Sequence, residues 1–252
     1  MIYCGDNVID NSYTLFQKGE SCDDEFSLTF LGESQAVSSY RITSFKVDEG
    51  YIFRYGSEVM AVDANWKKGV ILPTFNCVDA QPFVVQMFLS HAVRRQMLQL
   101  HCATIDDGGR GILFLGPSGI GKTTQAERWA QYRGSAIING DIGFVQRTPA
   151  GYTAWGTPWH GSSPYCLNAS VPVKALVVLK QAPQNALREL TGFEKVREVS
   201  GSVFYPTWLE DGMELCTDTL NHLLSDLPVY RLDNRADEEA VRLLAAEIDR
   251  IS

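Results

Sequence analysis

Hydrophobic and polar positions along the chain fall into two regimes. Up to about residue 78, β-branched and aromatic runs alternate with polar turns, which predicts strands at 13–16, 26–30, 40–47, 51–55, 59–63 and 69–72. The clearest unit is 51–63, two such runs around Gly56-Ser57-Glu58, the arrangement of a hairpin. From Asp79 the period changes. Pro82 suits a first helical turn, and Phe83, Met87, Val93, Met97 and Leu98 recur at near-helical spacing, which predicts a helix running to Leu100. Strands at 101–105, 111–115, 136–138, 144–147, 175–179 and 229–232 then alternate with helices at 122–133, 217–225 and 236–251. In the last helix Asn234 is the candidate cap, Asp237, Glu238 and Glu239 load the first turn, and Val241, Leu244, Ala245 and Ile248 form an apolar stripe. This alternation predicts an α/β fold, a sheet covered by helices with parallel pairing where a helix intervenes. Residues 1–80 are expected as a β-rich N-terminal segment without visible chemistry, and 81–252 as the α/β domain.

Composition narrows the classes. The 252 residues are 45% hydrophobic and 21% charged, a folded-protein balance that excludes disorder, collagen and coiled coil. Twenty-two Lys and Arg against 30 Asp and Glu give a net charge of −8, so a nucleic-acid partner is not expected and any phosphate site must be local. Six cysteines, Cys4, Cys22, Cys77, Cys102, Cys166 and Cys216, lie far apart with no CxxC pair, which suits reduced thiols better than a disulfide framework or a zinc site. The first residues lack a secretory pattern, and no window holds the ~18 apolar residues of a membrane span. The expectation is a cytoplasmic protein with no membrane partner.

The strongest chemical signal is Gly116-Pro117-Ser118-Gly119-Ile120-Gly121-Lys122-Thr123, followed by Thr124, which matches G-x-x-x-x-G-K-[ST] between an apolar strand and a helix. Glycines let the backbone curl so that N–H groups face phosphates, and the helix N-terminus adds partial positive charge. In that reading Lys122 bridges the β- and γ-phosphates of ATP and the Thr123 hydroxyl ligates Mg²⁺. Such a site needs a carboxylate near the metal, and Asp141, which ends the run Ala136-Ile-Ile-Asn-Gly140, is the candidate. Its plainer reading is a turn residue after Asn139-Gly140.

Leu100-His-Cys-Ala-Thr-Ile105, the glycine-rich motif and Ile138-Asn-Gly-Asp141 together resemble the HPr kinase/phosphorylase superfamily, whose P-loop core is shared with phosphoenolpyruvate carboxykinases. Trp155-Gly-Thr-Pro-Trp-His-Gly161 and Val173-Lys-Ala-Leu-Val-Val-Leu-Lys-Gln-Ala-Pro183 are similar to HPr kinase-like proteins encoded beside ribosomal-peptide biosynthesis genes. The resemblance covers about 100–185 well and 228–250 loosely. It implies a P-loop kinase core of HPr kinase/carboxykinase type carrying an N-terminal β-rich segment. It further implies ATP- and Mg²⁺-dependent transfer to a Ser or Thr hydroxyl of a protein or peptide, and allows a homo-oligomer. The implied catalytic residues are Asp141, His101 and Lys122, with Asp141 or His101 accepting the hydroxyl proton. One departure stands out: the family usually carries two adjacent aspartates, whereas here the run is Gly140-Asp141-Ile142. A nucleotide-binding regulatory module without phosphotransfer therefore stays open.

Other polar residues admit two readings. His101 is either a group beside the γ-phosphate or a core-edge histidine satisfied by backbone. His160 lies in a loop that Trp155 and Trp159 can pin, while His91 and His222 fall on helices as structural or solvent-facing residues. Arg188 is expected in a polar helix. The aromatics between 190 and 215, Phe193, Phe204, Tyr205 and Trp208, together with Met213, are expected mainly as core, or else as a lid or peptide groove.

Overall fold

The structure, a computed structural model, describes residues 27–30, 42–55, 58–72 and 81–251. Period-two alternation in the first part builds a five-stranded sheet from β1 (Ser27–Phe30), β2 (Ile42–Val47), β3 (Gly50–Tyr55), β4 (Glu58–Asp63) and β5 (Lys68–Leu72), in the order β1-β5-β4-β3-β2. The expected hairpin is the β3–β4 pair, with Tyr55 opposite Glu58. The strand expected at 13–16 lies outside the described residues. Phe53, Met60 and Ile71 stand in register across β3, β4 and β5, and with Trp66 they pack against Phe83 and Met87 of α1 (Gln81–Ala92).

The helix expected to reach Leu100 stops earlier. A short 3-10 turn, Val93–Arg95, follows α1, and Gln96 takes a left-handed conformation, φ 52°, that turns the chain into β6 (Met97–Asp106). Met97, Leu98 and Leu100 imitate a helical stripe, but they obey the strand period. Leu98, Leu100 and Cys102 enter one core, while Met97, Ala103 and Ile105 face the opposite side.

β6 is the axis of a nine-stranded sheet. The remaining elements are β7 (Gly111–Leu115), α2 (Lys122–Arg133), β8 (Ala136–Asn139), β9 (Ile142–Thr148), β10 (Gly151–Trp155), β11 (Ser170–Gln181), β12 (Ala186–Glu189), α3 (Phe193–Val199), β13 (Val203–Phe204), α4 (Gly212–Asp226), β14 (Val229–Asn234) and α5 (Glu238–Arg250). The order is β10-β9-β6-β7-β11-β14-β12, with β8 and β13 also on β6 and a β10–β11 pairing. β7, β11 and β14 run parallel, the pairs separated in sequence by helices, and the other pairings in this sheet are antiparallel. One sheet face is covered by α4, through Cys216, Leu220 and Leu223. The other is covered in two blocks, by α1 with the small sheet and by α2 with α5.

Three expectations are corrected. Arg188 sits in β12, antiparallel to β14, because Leu187 and Arg188 pair with Leu232 and Arg231. The cap of α5 is Asp237, whose carboxylate accepts from the Ala240 N–H at 3.1 Å, while the Asn234 side chain accepts from the Ala236 N–H and stays at the end of β14. Of the aromatic stretch, Tyr205 and Trp208 are partly buried, but Phe193, Phe204 and Met213 are exposed. Cys102, Cys166 and Cys216 are free thiols, and Cys4, Cys22 and Cys77 lie outside the described residues. Among the described residues no helix is long and apolar enough to cross a membrane.

Candidate functional site

The β7 strand is buried along its whole length and delivers the chain into the loop at 116–121, which opens α2. Gly116, Gly119 and Gly121 all have positive φ, 138°, 77° and 106°. Gly121 is the left-handed N-cap of α2, a conformation that a side chain at that position would strain. Gln125 is the first residue of α2 whose N–H reaches an intrahelical carbonyl, Gly121 O at 2.8 Å. The amides of Lys122, Thr123 and Thr124 before it belong to the unsatisfied first turn. Pro117, Ser118 and Gly119 are exposed, and Ile120 is half-buried against the α2 core.

Lys122 turns back under this loop. It is 6% exposed, and its Nζ donates to Gly116 O at 3.1 Å and Pro117 O at 3.3 Å. Burial lowers its pKa against the pull of the nearby Asp141 charge. Its ammonium also lies 2.9 Å from His101 Nε2. The same ring nitrogen is 3.0 Å from Asp141 Oδ1. Nε2 cannot accept from Lys122 and donate to Asp141 at once, so the three groups have two alternative hydrogen-bond states that differ in where one proton sits.

Asp141 is held from three sides. Asn139, fully buried, accepts with Oδ1 from the N–H groups of Asp141 and Ile142, both at 2.9 Å. Its amide nitrogen donates to Trp159 O at 2.9 Å and Thr157 O at 3.2 Å, so one side chain fastens the carboxylate turn to the loop at 156–168. Buried Thr157 adds a bond to Ile142 O. Gly161, φ 57°, lies against the Asp141 carboxylate, where a Cβ would collide with Oδ2. Finally, Thr123 Oγ1 donates to Gly140 O at 3.0 Å, placing the first turn of α2 beside the same turn.

The sequence-derived candidates therefore converge: Lys122, His101 and Asp141 share one hydrogen-bonded cluster, with Thr123 one residue from Asp141 through Gly140. His160 stands apart, its Nδ1 bonded to the Ser163 carbonyl. Trp159 is fully buried against Phe88 and Phe144 and pins that loop. His91 bonds Trp66 O, and His222 is half-buried on α4. Asn139, Thr157 and Gly161 join the site without being among its sequence candidates. Their sequence signals are the Asn139-Gly140 turn pair and their places within the 138–141 and 155–161 runs that carry the resemblance.

The donor set suits a Mg²⁺–nucleotide: a glycine loop at a helix N-terminus, a buried lysine, and two hard oxygens, the Thr123 hydroxyl and the Asp141 carboxylate, flanking one carbonyl.

Among solved structures, the chain is similar to the Hpr(Ser) kinase/phosphatase from Coxiella burnetii, at 11% identity and a TM-score of 0.35, over 60% of this chain and 98% of that one. The curated proteins contain no match to it. Residues 75–232, well over half of the sequence, match the family described as SynChlorMet cassette protein ScmC, and the chain belongs to that family.

Proposed function

We propose that the protein is an ATP- and Mg²⁺-dependent kinase that transfers the γ-phosphate to a Ser or Thr hydroxyl of a protein or peptide. The observation that carries this reading is the convergence of Lys122, His101 and Asp141 at the mouth of a glycine loop that opens a helix. A surface turn with a solvated lysine explains none of it: Lys122 is buried, and burial of an ammonium needs partners. The resemblance of residues 100–185 to HPr kinase-like proteins supports the same reaction class.

In this reading the loop amides and Lys122 hold the β- and γ-phosphates, and Thr123 and Asp141 hold Mg²⁺. The metal, when bound, neutralises charge that develops on the transferring phosphoryl group. The chain's own residues position the reactants and move one proton. Asp141 or His101 takes the proton of the acceptor hydroxyl. Because Nε2 of His101 also faces Lys122, a proton arriving at Asp141 has a neighbouring nitrogen to share it. Asn139 and Thr157 act as positioning residues through Asp141.

A second reading, a nucleotide-binding regulatory module, is favoured by Ile142. Its side chain packs into the α1 core where the related kinases carry a second aspartate. Purified protein with Mg-ATP and candidate acceptor peptides separates the two. Nucleotide binding together with transfer to a hydroxyl is expected. Normal nucleotide binding with no labelled acceptor in peptides or cell extract would leave the regulatory reading.

A further inference from the structure

Beside the cluster, on the same face of β6, lies a cavity of about 220 Å³ that the transfer chemistry does not use. Gln99 forms its floor. It stands two residues before His101 and points to the same side of the sheet, between Phe144 of β9 and Phe204 of β13, its directly paired neighbours. Helix α1 supplies the opposite wall with Val85 and Gln86, and the chain after β13 adds Tyr205 and Trp208. Gln99 is 4% exposed, and its Oε1 lacks a hydrogen-bond partner, as does that of Gln86. A buried amide oxygen left without a donor is costly, and the two glutamines that carry them both line this cavity, so a ligand that brings donors would relieve both.

Three features define that ligand. The volume is below the ~300 Å³ at which sites for whole small molecules begin, so the cavity accepts a side chain rather than a cofactor. Its walls are largely apolar and aromatic, and two of its glutamines carry an amide oxygen without a donor, which fits an apolar side chain together with a backbone N–H. Phe204, 41% exposed, lines the cavity and also meets the His101 ring at 6.4 Å between centroids, so the cavity and the cluster are contiguous.

Resting on the reading of Lys122, His101 and Asp141 as the transfer site, we infer that this cavity is an acceptor subsite: it takes an apolar side chain two positions from the phosphorylated residue of an extended polypeptide. The spacing follows from the strand. Gln99 and His101 are about 6.8 Å apart along β6, and an extended ligand advances by the same amount over two residues while returning its side chain to the same face.

The test uses the full chain and a positional-scanning library of acetylated, amidated peptides, each with one fixed Ser. Phosphorylation is read with Mg-ATP, and binding of fluorescently labelled library peptides is read on Lys122→Ala, which does not require transfer. The expected result is at least a tenfold preference for Leu, Met, Phe or Tyr over Gly or Asp two positions from the Ser. Gln99→Leu and the surface change Phe204→Ala should each raise the peptide KM at least tenfold and move nucleotide affinity less than twofold. Gln99→Leu should also raise the melting temperature, which a purely structural glutamine would not do. Phosphorylation without that positional preference, or an unchanged peptide KM in both variants, overturns the subsite and leaves the kinase standing. Selective, Gln99-dependent peptide binding to Lys122→Ala without any phosphorylation overturns the kinase and leaves the cavity as a peptide site. Absence of both binding and transfer overturns both.

Discussion

The single nitrogen of His101 between an ammonium and a carboxylate is the feature on which the proposed phosphotransfer turns. A change that keeps the shape of Asp141 and removes its charge isolates that role. Asp141→Asn is expected to cut phosphotransfer by about 10²-fold or more, the scale of a lost general base, while the fold persists. Initial rates at saturating Mg-ATP check this, and a loss under about fivefold would remove Asp141 from proton transfer. Gly161→Ala probes the same carboxylate from outside. A Cβ there meets Asp141 Oδ2, and the left-handed φ of 57° adds strain of about 1 kcal/mol, so activity should fall with only a small loss of stability. At this scale Lys122 and Thr123 were legible because a phosphate loop imposes a local spacing. Asp141 is legible as the strand-end carboxylate that a phosphate loop needs, while the resemblance raises His101 from a core-edge histidine to a site candidate. The roles of Asn139, Thr157 and Gly161 are not legible, because they are contacts between segments some 15 to 20 residues apart in sequence, which no local pattern encodes.

Among elements, α2 is fastened at both ends, and the far end is electrostatic. Asp107, 4% exposed at the end of β6, accepts from Arg133 at the C-terminus of α2 at 2.9 Å, from Arg110 at 2.5 Å and from Ser135 at 2.8 Å, and both arginines reach Asp249 on α5. Burial alone would raise the Asp107 pKa, but the hydrogen bonds from Arg133, Ser135 and Arg110 outweigh it and hold the carboxyl below its ordinary value of 3.8. A carboxyl lower in the folded than in the unfolded chain contributes stability that is complete above about pH 4 and is lost as pH falls through the folded value. Asp107→Ala should therefore cost about 3 kcal/mol at pH 7 and less below pH 4, since it removes the buried carboxylate to which both Arg110 and Arg133 donate. Urea titrations at pH 7 and pH 3 check it, and an equal difference at both values would refute the linkage. The elements tied here, β7, α2 and α5, are those whose sequences read clearly, through the strand–loop–helix motif for β7 and α2 and the apolar stripe of α5. The short strands β10, β12 and β13 exist through pairing with β9, β14 and β6 and carry little pattern of their own. The end of α1 is not legible because apolar strand residues after Gln96 continue a helical spacing by coincidence.

Across the whole molecule the decisive feature is that one face of β6 changes its cover. Met97 lies under α1 and the small sheet, Ala103 and Ile105 under α2 and α5, and His101 falls at the seam between them. The alternation of strands and helices predicts a sheet covered by helices, but a seam is a property of where helices end in space. A ligand bound there touches both blocks at once: α2 through its first turn and Lys122, and the β8–β9 turn through Asp141, which Asn139 ties to the loop packed on α1 by Trp159. Mg-ATP should thus stabilise the domain as a unit and not merely order the glycine loop. At a hundredfold excess over Kd the linkage amounts to about 2.7 kcal/mol, which for a chain of this length corresponds to a rise of roughly 5–10 °C in melting temperature. Scanning calorimetry should show one transition moving upward with Mg-ATP, a smaller shift with ATP and EDTA, and none for Lys122→Ala. Two separating transitions, with only the later one responding to nucleotide, would show that the seam does not couple the α1 block to the α2 block.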